Sequence, residues 1–180
     1  MKDEILEKYF AAGKLAATIL RESAQEIRVG RSYLELVESV EGRVKNEGAD
    51  LAFPLNVSLN EDAAHDTASA GDERVFGKGD VVKLDLGVQI DGYIADTATT
   101  VDLGNNGLLL EASREALEAA IRAVRPGVTA GKIGAVVENE IARRGYRPIA
   151  NLTGHGLDQY VLHQDPTIPN IAINGGQHMQ

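Results

Sequence analysis

Two aspartates, Asp85 and Asp96, and three histidines, His65, His155 and His163, are the side chains whose types and placing could do chemistry. The aspartates flank an Asp91-Gly92 pair set between two apolar-alternating runs, VVKLDLGVQIDGYIADTATTVDL over residues 81–103. An Asp-Gly pair in that setting is the strongest local signal for a two-residue hairpin turn. Closing the turn there puts Ile90 opposite Tyr93, Gly87 opposite Asp96 and Asp85 opposite Ala98. Strand side chains alternate between faces. Val82, Leu84, Leu86, Val88 and Ile90 therefore share one face, and Lys83, Asp85, Gly87, Gln89, Ile94, Asp96 and Thr100 the other. The two aspartates become diagonal cross-strand neighbours, roughly 7–8 Å apart at the backbone. Carboxylates that close repel unless a proton or a cation lies between them. Strands disfavour Asp, and Gly87 and Ala98 leave room beside the pair. The pattern favours a hard divalent cation over solvated strand carboxylates.

The histidines read less sharply. His155 stands in Thr-Gly-His-Gly, where glycines let backbone approach a ligand. Taken alone it is either a metal ligand or a polar loop residue. An imidazole beside carboxylates suits Zn, Fe, Co or Mn better than Ca or Mg. His65 and His163 each end a strand-like run, and either is a proton shuttle, a hydrogen-bond donor or an ordinary structural histidine. His178, in the tail, carries no signal. Neither a Walker lysine loop nor a Gly-x-Ser-x-Gly elbow occurs, and Gly-Val-Gln-Ile-Asp-Gly opens no helix as a dinucleotide loop would.

Composition narrows the class. The chain has 180 residues, 43% hydrophobic and 25% charged, enough for one soluble domain with a core. A net charge of −9 without a basic cluster argues against nucleic-acid and membrane partners. The absence of cysteine excludes disulfides, zinc–thiolate sites and thiol nucleophiles. No run approaches the ~18 apolar residues of a membrane helix, and the charged start is not a signal peptide. Cytoplasm is the default location.

The hairpin needs elements to hold it. Ile5, Tyr9, Ala12, Ala16 and Ile19 recur at helical spacing and predict a helix over 3–24. Ser32 with Glu35 is a capping box opening a second helix, with Leu36, Val37, Val40 and Val44 inward and Gly48 as its stop. Residues 53–59 read as a strand entering a polar loop that holds His65. Beyond a turn at 104–107, a third helix is predicted over 111–125 with Leu117, Ala120, Ile121 and Val124 inward. Thr129 caps a fourth helix carrying Ile133, Val136, Val137 and Ile141, closed by Gly145, and a strand is predicted over 147–153.

The second and fourth helices match at a constant offset of 97. Gly30 meets Gly127, Ser32 meets Thr129, Leu36 meets Ile133, Glu41 meets Glu138 and Gly48 meets Gly145. The matches suggest an internal duplication. The hairpin's counterpart is then expected at about 178–200, and residues 171–180 show no helix or strand. The expectation is an incomplete domain over 1–180, with a first half of about 1–105 and the start of a second half over about 108–180. Apolar surface is expected to be left uncovered, with aggregation or dependence on a partner as the consequence.

The run KLDLGVQIDGYIADTATTV at 83–101 closely resembles the first metal-ligand segment of type II methionine aminopeptidases in their archaeal form. So do FPLNVSLN at 53–60 with AAHDT at 63–67, NLTGH at 151–155 and YVLH at 160–163. Four segments in the right order make the resemblance specific, and it spans nearly the whole chain. The hairpin alone would indicate only the wider pita-bread superfamily, which includes proline-specific peptidases, creatinase and non-catalytic relatives. The resemblance implies a pseudo-twofold α/β (α+β) pita-bread fold, an antiparallel sheet with covering helices, whose second half is truncated here. It implies two divalent metal ions, Co, Mn, Fe or Zn, with Asp85 chelating one, Asp96 bridging both and His155 binding the other. His65 matches the family histidine that contacts the scissile peptide and assists catalysis, and His163 the one that hydrogen-bonds substrate. The implied reaction is removal of the initiator methionine from nascent polypeptides, by a protein that is a monomer when complete.

One departure is large. The family uses two further Glu ligands, one of them the proton shuttle, and no Glu follows Glu140 in this sequence. The expectation is that the parent protein is an aminopeptidase while these 180 residues alone are inactive. A smaller departure is Ala68, where many relatives carry proline. The alternatives are a non-catalytic pita-bread binding module, against which the retained Asp85, Asp96, His155 and His65 argue, and a proline-specific peptidase, disfavoured by the NLTGH and FPLN contexts.

Overall fold

The computed structural model describes residues 3–180, which divide into two units. Unit 1 holds the residues up to Asn105 together with Asp158–Leu162, and unit 2 holds Asn106–Leu157 and His163–Gln180.

Unit 1 is built on the hairpin. Strand β3 (Val81–Ile90) pairs antiparallel along its whole length with β4 (Tyr93–Asp102), and Gly87–Asp96 and Asp85–Ala98 are partners, the register the turn dictates. Asp91 and Gly92 both have positive φ, 52° and 84°, as a type I′ turn demands. The other edge of β3 is shared by β1 (Asp50–Leu51) and β2 (Asn56–Leu59), which pair with it in succession. The strand expected over 53–59 thus begins three residues late. Residues 52–55 bow out between β1 and β2, though Ala52 N–H still donates to Gly87 O at 2.9 Å.

Helices cover the apolar face of the sheet. Helix α1 (Asp3–Ala24) packs across β3 and β4, and α2 (Tyr33–Asn46) packs on α1, β1 and β2. Val82, Leu84, Leu86 and Val88 are fully buried with Leu36, Val40, Val44, Tyr33 and Phe76. Each such side chain contributes about 1.5–3 kcal/mol. The Ser32 hydroxyl accepts from Glu35 N–H at 3.3 Å, but the Glu35 carboxylate turns to Arg31, so only half of the capping box forms.

Unit 2 contains α3 (Gly107–Ala123), α4 (Ala130–Ala142) and the body of the antiparallel hairpin of β5 (Thr153–Asp158) and β6 (Val161–Pro169). Two expectations are corrected here. The strand predicted over 147–153 lies at Thr153–Asp158 instead. Helix α3 begins at Gly107 and buries Ala112, Ala116 and Ala119, whereas Leu117, Ile121 and Val124 are 59%, 62% and 50% exposed. Small side chains let α3 and α4 approach closely, so the alanine face, not the bulkier stripe, is the one that is covered. Residues 171–180 hold no helix or strand, as expected, but they are bonded in place: Met179 N–H donates to Val128 O, and Gly127 and Ala130 N–H donate to Met179 O and Gln177 O, all at 2.8–2.9 Å.

Those tail bonds extend the internal repeat. In unit 1, Gly30 N–H donates to Phe76 O, Phe76 N–H to Arg31 O and Tyr33 N–H to Arg74 O. Unit 2 repeats the set at offset 97 on the helix side and 103 on the tail side, so its span between the bonded segments is six residues longer in net. Ser32 and Thr129 cap their helices alike, each accepting from the N–H three residues on. Glu41 accepts from Leu55 N–H at 3.1 Å, and its match Glu138 accepts from Ala172 N–H at 2.8 Å. The duplication suggested by pattern is therefore a duplication of hydrogen bonds.

Candidate metal centre

Asp85 and Asp96 project from the same face of β3–β4, beside Gly87, and they interact directly. Three elements make the setting. The Asp-Gly turn fixes the diagonal, β2 brings Asn56 opposite Asp85 in register, and the loop after β2 carries His65. Burial pushes the Asp85 carboxyl up from 3.8 to about 6, with the Asp96 charge adding to the rise. The hydrogen bond with Asn56 and, more weakly, the nearby imidazole of His65 oppose it. Asp85 Oδ1 is buried and has no hydrogen-bond partner. A buried carboxylate oxygen without a donor costs about 1–3 kcal/mol or more, and a cation satisfies it. The oxygen donors and the neighbouring imidazole fit a divalent ion.

Asn56 escaped the sequence reading, since one Asn at a strand start carries no signal until pairing puts it across from Asp85. Phe53 escaped it as well. A Cβ added at Gly87 would sit 2.3 Å from Phe53 Cε1, so the ring packs directly over Gly87 beside the acidic pair. Gly87 is there because nothing larger fits under the ring.

His155 and His163 come together in unit 2, on β5 and β6, with ring centroids 4.5 Å apart and planes at 70°. His155 Nδ1 lies 3.1 Å from the Gly156 carbonyl. A carbonyl only accepts, so Nδ1 donates in this bond and Nε2 is the ring nitrogen a metal would use. His65 is exposed, and its φ of 69° is rare outside glycine. His178 Nδ1 lies 3.0 Å from Gly127 O, inside the tail bridge, which gives it a structural place. Among the described residues no three His, Asp or Glu side chains gather as a group that could hold an ion.

The profile of metallopeptidase family M24 matches residues 7–180. The chain belongs to metallopeptidase family M24. Over 176 residues it is 51% identical to a methionine aminopeptidase of Archaeoglobus fulgidus, covering 98% of this chain and 60% of that protein. The chain thus spans about 60% of the length of that curated relative, and 58% of the next, from Methanothermobacter thermautotrophicus at 48% identity. The crystal structure of methionine aminopeptidase from Thermotoga maritima superposes with a TM-score of 0.90 at 30% identity, covering 100% of this chain and 76% of that one. The M24 fold, mixed α/β with antiparallel sheets, agrees with the class read from the sequence. M24 members are metallopeptidases, so membership implies a divalent metal cofactor. Among the described residues, no helix is long and apolar enough to cross a membrane.

Proposed function

We propose that this chain is part of a methionine aminopeptidase, which removes the initiator methionine from nascent polypeptides in the cytoplasm and is a monomer when complete. The observation that carries the reading is the orphaned Asp85 Oδ1 beside Asp96 on a sheet face with His65 in reach. The names of the archaeal relatives supply the substrate.

On this reading Asp85 would hold one of two divalent ions, Co, Mn, Fe or Zn, Asp96 would be shared between them, and His155 would hold the other. Bound ions would supply Lewis-acid polarisation of the scissile carbonyl. The chain's own groups bind and orient the peptide. His65 and His163, both exposed, meet the peptide near the scissile bond, His65 contacting it and assisting catalysis and His163 hydrogen-bonding substrate. Phe53, stacked on Gly87, walls the acidic pair with apolar surface. The two units belong to one catalytic domain. With no Glu after Glu140, the 180 residues alone hold three of five ligands, lack the acid–base carboxylate and do not turn over.

The test is a chimera in which the corresponding C-terminal portion of the Archaeoglobus relative follows this chain. With Co or Mn it is expected to release methionine from Met-Gly peptides and to leave X-Pro peptides intact. Failure to release methionine by a folded, metal-loaded chimera, or cleavage at X-Pro, overturns the reading. Methionine release by the unfused chain overturns its inactivity.

A further inference from the structure

His65 sits in a left-handed conformation that a few per cent of non-glycine residues adopt, and nothing in its own side chain demands it. Its neighbours do. The Asp66 carbonyl accepts from Val57 N–H at 2.8 Å, and Asp66 N–H donates to Ser58 Oγ at 3.3 Å. Thr67 Oγ1 donates to Leu55 O at 2.6 Å. The backbone on the C-terminal side of His65 is thereby stitched to β2 and the residue before it.

The side chain of Asp66 supplies the second restraint. Its Oδ2 lies 2.7 Å from Arg74 Nη1 and 3.0 Å from the hydroxyl of Tyr33, which also contacts Val57 O. Arg74 is itself held fast. Its Nε and Nη2 fork onto Asp72 at 2.6–3.1 Å, and its Nη2 reaches Thr67 O at 3.2 Å. Its guanidinium lies over the Tyr33 ring at 4.1 Å. Tyr33 is fully buried in the core of unit 1. A chain of contacts thus runs from the core through Tyr33 and Arg74 to Asp66, the residue next to His65.

We infer that Asp66, clamped by Arg74 and Tyr33, is a positioning residue that fixes His65 in its left-handed conformation beside the Asp85–Asp96 pair. The clamp converts a conformer of low intrinsic population into the resident one, so the imidazole is preorganised before any ligand arrives. The value of that preorganisation rests on the aminopeptidase reading of His65; the clamp itself does not.

The experiment is NMR of the isotope-labelled 180-residue chain without metal. Positive φ at His65 gives a strong intraresidue HN–Hα NOE and a characteristic three-bond HN–Hα coupling. Asp66→Ala is expected to erase both and to speed amide exchange of Val57 roughly tenfold, the weight of one charge-assisted hydrogen bond. The amides of Val82, Leu84 and Leu86 stay protected, which shows that the unit is folded. Asp66→Asn, which keeps the shape and one acceptor oxygen, is expected to restore the His65 signature. Should Asp66→Ala fail to fold, Tyr33→Phe removes one arm and is expected to give a partial loss. A His65 signature that survives Asp66→Ala overturns the inference, as does Asp66→Asn losing as much as Asp66→Ala. The readout needs neither metal nor peptide. A chimera that fails to release methionine while the signature behaves as expected sinks the aminopeptidase reading and leaves the clamp standing.

Discussion

Replacing Asp85 by Asn should stabilise the metal-free chain and destroy its affinity for divalent ions. The carboxyl is raised from 3.8 to about 6, chiefly by burial and then by Asp96. The folded chain therefore holds this proton more tightly than the unfolded chain. The sign follows: the contribution of Asp85 to stability is most favourable below pH 4, falls as pH rises toward about 6, and is constant above that. At about 1.4 kcal/mol per pH unit the full penalty is about 3 kcal/mol. Solvent screening at a half-open site reduces it to about 1–2 kcal/mol. Asn is nearly isosteric and neutral at every pH, and its amide can donate to Asp96. Asp85→Asn should then be more stable by about 1–2 kcal/mol at pH 7.5, or about 2–8 °C in Tm for a chain of this length. At pH 4 the two should coincide. Urea denaturation in EDTA at both pH values measures the difference, and repeating it with Mn checks the second half: the parent chain gains stability by mass action and the variant does not. A variant that is less stable at pH 7.5, or whose advantage persists unchanged at pH 4, refutes the reasoning.

Two further outcomes are expected. Gly87→Ala drives a methyl into the Phe53 ring and should cost about 1–3 kcal/mol; in a Phe53→Ala background the cost should vanish, and an equal cost in both backgrounds argues that strand geometry, not the ring, requires glycine. Leu117→Lys with Ile121→Lys, on the exposed stripe of α3, should leave stability within about 0.5 kcal/mol and reduce self-association and dye binding measured by sedimentation and fluorescence; a large destabilisation would place that stripe in a covered contact.

How much was legible depends on range. The hairpin register could be read residue by residue because a two-residue turn leaves no freedom in pairing, and period-2 alternation then assigns both faces. The helix caps at Ser32 and Thr129 were legible for the same reason, since a cap bond spans three residues. The faces of α3 were not. An apolar stripe shows that a helix has a side to bury; whether Leu117 and Ile121 or Ala112 and Ala116 meet α4 depends on how closely the helices approach. The length changes between the matched segments were invisible too, because the helical match ends where the helices end.

The sequence by itself determined that two carboxylates share one face of a twisted hairpin, since turn chemistry and alternation act within a few bonds of the residues concerned. Only the tertiary structure decided what those carboxylates feel. Burial raises Asp85, Asn56 arrives across β2 from 29 residues away in the chain, and Asp85 Oδ1 is left without a donor. The same division holds for His65. Its presence in a loop was readable, but its left-handed backbone is imposed by Tyr33 and Arg74 through Asp66, contacts between segments that are distant in sequence and that exist only once the core has closed.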